Sequence, residues 1–84
     1  MTYQVTIARD AERELARMQP RLRARVGAAL LSLERDPRPP GVLNLVGEEG
    51  WRIRVGDYRI LYAIDDGARV VIVFSIGHRR EVYR

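Results

Sequence analysis

Trp51-Arg52-Ile53-Arg54-Val55-Gly56-Asp57-Tyr58-Arg59-Ile60-Leu61-Tyr62-Ala63-Ile64 alternates side chains and breaks its rhythm once, at Gly56-Asp57. Residues two apart share a face of a strand. Trp51, Ile53 and Val55 therefore point one way and Arg52 and Arg54 the other. Gly56-Asp57 has the composition of a two-residue hairpin turn, because glycine accepts the positive φ such turns require. With that turn, Val55 pairs with Tyr58, Arg54 with Arg59, and Arg52 with Leu61. Tyr58, Ile60, Tyr62 and Ile64 continue the apolar face. This hairpin predicts a sheet with one buried face and one face that carries arginines.

The flanking segments complete the architecture. Tyr3 to Ile7 alternates and reads as a short strand. Asp10 offers an N-cap to a first helix that presents Ala11, Leu15 and Met18 at helical spacing. Gln19-Pro20 stops that helix, and Pro20 suits the first turn of a second. Leu22, Val26, Ala29, Leu30 and Leu33 then form one apolar stripe. Asp36-Pro37-Arg38-Pro39-Pro40-Gly41 is a stiff, non-helical connector. Leu43 and Leu45 anchor the chain again, and Gly47-Glu48-Glu49-Gly50 and Asp65-Asp66-Gly67 read as turns. Val70 to Ile76 is apolar on both faces, as in a central strand, and Gly77 is expected to end it. The expected class is α+β: an N-terminal two-helix hairpin packed on one face of a small antiparallel sheet, in the order β-α-α-β-β-β. Nothing divides the chain, so residues 1–84 are expected to form a single domain.

Composition narrows the function. The 84 residues carry 15 arginines and no lysine, against 11 carboxylates, for a net charge of +4. Most of the excess follows residue 51. There is no cysteine, hence no disulfide or thiolate metal site. No spaced metal-ligand set, Gly-rich phosphate loop, signal peptide or bilayer-length apolar run is present. The expectation is a cytosolic, cofactor-free protein with an anionic partner. Three arginines on one strand-paired face call for an outside anion or for an acid, such as Glu81, Glu48 or Glu49, brought in from elsewhere. His78, Arg79, Arg80, Glu81 and Tyr83 follow the last strand and can fold over the same face.

Trp51 to Tyr62, followed by Ile76-Gly77-His78-Arg79-Arg80-Glu81-Val82-Tyr83, closely resembles the RelE/StbE branch of the RelE/ParE toxins of bacterial type II toxin–antitoxin modules. Length, helical hairpin and proline-rich connector fit as well. The resemblance implies a compact, microbial-RNase-like fold and ribosome-dependent cleavage of mRNA in the A site. It assigns catalytic roles to Arg52, Arg54, Arg59, Arg79 and Tyr83, and RNA contacts to Arg52, Arg54, Arg59 and Arg80. The implied partners are the ribosome with its mRNA, and a RelB-like antitoxin through whose complex alone operator DNA is reached. Cleavage by a ribose 2′-OH needs a base, an acid and cations for the developing charge. Arginine holds its proton and is a poor base. That leaves His78, the only side chain with a reference pKa near neutrality, or the carboxylates of Glu48, Glu49 or Glu81. Two other readings stay open: a ParE-like inhibitor of DNA gyrase, and a non-toxic relative that only binds antitoxin and regulates its own operon.

Overall fold

The computed structural model describes residues 2–78. Its elements run β1 (Gln4–Ile7), α1 (Arg9–Ala16), α2 (Pro20–Ser32), β2 (Leu43–Asn44), β3 (Trp51–Val55), β4 (Tyr58–Asp65) and β5 (Val70–His78). The strands form one sheet in the order β1-β5-β4-β3-β2. The α+β class and the helical hairpin on one sheet face stand as expected. The sheet, however, is mixed. β2, β3, β4 and β5 are antiparallel neighbours, whereas β1 lies parallel to β5, with Val5 beside Val71 and Ile7 beside Val73. A parallel neighbour needs a long crossover, and here the whole helical hairpin and three strands intervene between β1 and β5.

Helical periodicity and strand alternation meet in one core. Ala11, Met18, Val26, Leu30 and Leu33 from the hairpin pack against Ile60, Tyr62, Val71, Val73 and Ile76 from β4 and β5. Full burial of side chains such as Val26, Leu33 and Ile60 contributes roughly 1.5–3 kcal/mol each. Helix α1 starts earlier than its carboxylate signal indicates. Ala8 is the N-cap and makes no side-chain cap, while Asp10 and Glu12 sit inside the first turn, where a negative charge favours the amide dipoles. Pro20 opens α2, as read.

The connector is held by its prolines and by one buried hydroxyl. Tyr62 Oη donates to the Pro37 carbonyl oxygen at 2.7 Å. Burial pushes the Tyr62 phenol from 10.0 up to about 12. The unfolded chain gives up this proton near 10, so stability falls as pH climbs from there towards 12. An ultraviolet titration should show a tyrosine step near 12 that Tyr62→Phe removes.

One turn and one strand end differ from their expected form. The β4–β5 turn extends to Arg69, whose φ of 58° makes it the left-handed residue there, not Gly67. Gly77 does not end β5; it pairs with Arg59, and the strand continues to His78.

Candidate nucleic-acid interface

The β3–β4 hairpin has the expected register. Gly56 takes a φ of 59°, Val55 faces Tyr58, Arg54 faces Arg59, and Arg52 faces Leu61. Trp51, Ile53, Val55 and Tyr58 pack towards the core. Alternation then places Arg52, Arg54 and Arg59 together on the opposite face. Arg54 is exposed and its two neighbours are partly buried. Arg59 Nε is shielded from solvent. Arg59 also stands between Arg54 on β3 and Gly77 on β5. Two cations directly opposed across a ladder destabilise it.

His78 lies elsewhere. It pairs with Tyr58, and the two rings meet edge to face at 5.6 Å and 82°. Tyr58 packs with the core, so His78 sits on the helix side of the sheet and not over the arginines. The cause is a bulge: the register steps from Leu61–Ser75 to Tyr62–Val73, and one extra residue reverses the phase of the strand beyond it. Glu48 and Glu49 are exposed and line a separate cleft of about 440 Å³ with Arg38, Trp51 and Asp66. The described residues do not bring either glutamate to Arg54 or Arg59. Arg79, Arg80, Glu81 and Tyr83 lie outside the described residues.

One polar cluster was not foreseen. Arg38 Nη1 and Nη2 donate to Asp66 Oδ1 and Oδ2 at 3.3 and 2.9 Å, and Tyr3 Oη donates to Asp66 Oδ1 at 2.6 Å. The Arg38 guanidinium also lies 5.2 Å from the Trp51 ring centroid. The hydrogen bonds from Arg38, and then from Tyr3, hold the Asp66 carboxyl below its usual range. This cluster ties the connector, the N-terminus and the β4–β5 turn together beside the glutamate cleft. Arg38 and Asp66 are 28 positions apart, and neither sits in a periodic pattern that would have paired them.

A second surface is apolar. Val5, Ile7, Leu15, Ala24, Leu30 and Leu31 line a groove of about 510 Å³ beside edge strand β1. Leu31 is 64% exposed there.

The fold is thus a mixed sheet with a helical hairpin on one face and arginines gathered on the other. Residues 5–83 match the family model described as the ParE toxin of the type II toxin–antitoxin system, parDE; the chain belongs to the RelE/ParE superfamily of type II toxins. Among particular relatives, it is 36% identical to Toxin RelG of Mycobacterium tuberculosis, over 100% of this chain and 99% of that protein. It superposes on a chain of the RelBE2 toxin–antitoxin complex of M. tuberculosis with a TM-score of 0.82 at 32% identity, covering 94% of this chain and 100% of the other. The archaeal RelE–RelB complex of Pyrococcus horikoshii gives a TM-score of 0.85 at 26% identity, over 98% and 100%.

Proposed function

We propose that this toxin is a ribosome-dependent endoribonuclease that cleaves mRNA in the A site, acts in the cytoplasm and is neutralised by a RelB-like antitoxin. The observation that carries this reading is the Arg54–Arg59 pair, opposed across the ladder with Arg52 beside it. Two guanidiniums placed side by side in this way present a paired set of charged donors to one RNA phosphate. The ribose 2′-oxygen attacks the adjacent phosphorus while the bond to the 5′-oxygen breaks, leaving a 2′,3′-cyclic phosphate and a 5′-hydroxyl. Arg54 and Arg59 stabilise the charge that develops on the phosphoryl oxygens, and Arg52 orients the strand. The base that takes the 2′-proton and the acid that protonates the leaving oxygen come from outside the arginine trio, since guanidiniums do not release protons near neutrality. Glu81 and Tyr83, with Arg79 and Arg80, are the tail residues assigned to complete the site.

We assign His78 a packing role in place of proton transfer. Its ring meets Tyr58 edge to face at the end of β5. His78→Phe, which preserves an aromatic edge, should cleave within a few-fold of wild type. A hundredfold fall would restore the imidazole as acid or base. The apolar groove beside β1 suits a hydrophobic segment of the antitoxin, in keeping with relatives that form complexes with RelB. Operator DNA is then contacted through that complex.

Inducible expression followed by primer extension on a reporter mRNA tests the reading. Cuts within A-site codons and arrested translation are expected. The family model carries the ParE description, and replication arrest with intact mRNA would favour gyrase inhibition instead.

A further inference from the structure

The basic surface does not stop at the hairpin. Arg25 Nη1 lies 3.7 Å from where a Cβ on Gly56 would stand, so this guanidinium reaches the β3–β4 turn from the helical layer. One helical turn earlier, Arg21 lines a cleft of about 220 Å³ together with Arg25, Leu22 and Gln19. Both arginines are exposed. Arg21 is placed against helix physics. The first turn of α2 holds no acidic residue, although the amide dipoles there favour carboxylates. Arg21 and Arg25, four apart, also repel one another.

Helix α1 shows the ordinary arrangement. Asp10 and Glu12 occupy its first turn, and Arg13 and Arg17 pair with Asp10 and Glu14 at 3.8 and 3.7 Å. Within α2, Arg23 has a local role, as its Nη2 donates to the Met18 carbonyl oxygen at 3.1 Å beyond the end of α1. Neither an ion pair nor a hydrogen bond is found for Arg21 or Arg25 among the described residues. Arg21 opposes the helix dipole, the two charges repel one another and lack a local partner, and Arg25 borders the turn of the hairpin that carries Arg54.

We infer that Arg21 and Arg25 extend the arginine face around the Gly56–Asp57 tip as a track for the phosphate backbone of RNA. The inference rests on the proposed function, with Arg54 and Arg59 holding the cleaved phosphate and Arg21 and Arg25 holding phosphates further along. The exposed Asp57 carboxylate at the tip repels phosphate and divides the track into two points of contact.

Salt dependence reads this out separately from chemistry. A labelled single-stranded RNA of about fifteen nucleotides, 2′-O-methylated to block cleavage, is bound at KCl concentrations from about 50 to 200 mM. Each phosphate contact contributes about 0.7 to the slope of log K against log salt for single strands. The double variant Arg21→Ala, Arg25→Ala should lose about 1.4 of that slope. Arg13→Ala, Arg17→Ala should keep it, and Arg21→Lys, Arg25→Lys should restore it. The melting temperature of the double alanine variant should hold or rise, because like charges leave the helix start. An unchanged slope, or no binding of this RNA by the wild type, would overturn the track. Unchanged RNA binding with lost binding of a polyglutamate peptide would overturn it in favour of an acidic protein partner. Primer extension judges the nuclease reading independently of all these outcomes.

Discussion

Arg54→Gln is expected to lower mRNA cleavage on programmed ribosomes about a hundredfold while the melting temperature holds or rises. The two effects run in opposite directions because one side chain has two relationships. In the free protein Arg54 stands directly opposite Arg59, and relieving such a like-charged pair returns a few tenths of a kcal/mol, up to about 1. In the proposed cleavage the same guanidinium meets charge developing on phosphoryl oxygens in the transition state, and loss of one well-placed donor typically costs about 10²–10³ in rate. Glutamine retains length and a hydrogen-bond donor but removes the charge. Arg54 is exposed, so its replacement leaves the core intact. Single-turnover cleavage and a thermal melt on the same preparation measure both quantities. A fall in both would make Arg54 a structural residue.

Gly50→Ala should lower the melting temperature by roughly 10 °C, from a loss of about 1–3 kcal/mol. Gly50 has a φ of 145°, which side-chain-bearing residues rarely adopt. A Cβ there would stand 2.9 Å from Leu45 Cδ1 and 3.2 Å from the Tyr62 carbonyl oxygen. The leucine tip can move, but that carbonyl belongs to the central strand. Gly50 also accepts a hydrogen bond from Leu45 N at 3.0 Å, which closes the loop before Trp51. Any shift therefore enters β3 at its first residue and reaches Arg52 next. Gly47→Ala is the control, because Gly47 has a φ of 81° but open space around its missing Cβ. It should cost only the backbone part. Equal losses at the two glycines would remove steric contact from the explanation.

What the chain discloses by itself depends on whether a feature has phase. The hairpin does: alternation on both sides of Gly56-Asp57 leaves one register, and the arginine face follows from it. β5 does not, since Val70 to Phe74 is an unbroken apolar run, and the lone Ser75 beside the bulge sets no alternation of its own. That bulge decides the face of His78, which the chain alone does not disclose. β1 is a similar case. Four alternating residues identify a buried face but carry no information about the neighbouring strand or its direction. The Arg38–Asp66–Tyr3 cluster requires three loop and terminal segments to be in place first. Arginine usage is the opposite case: the absence of lysine is plain in the sequence, and in the proposed reaction it separates charge stabilisation, which guanidiniums suit, from proton transfer, which they do not.

The central claim is that the paired arginines act on RNA held at the ribosome. Purified toxin mixed with ribosomes carrying a defined codon in the A site tests it most directly, with the 3′ end of the upstream fragment identified chemically. The account predicts a single cut in that codon, ending in a 2′,3′-cyclic phosphate, which Arg59→Ala abolishes and RelB-like antitoxin prevents. Intact mRNA under these conditions, with supercoiling by DNA gyrase blocked by the same protein, would contradict it.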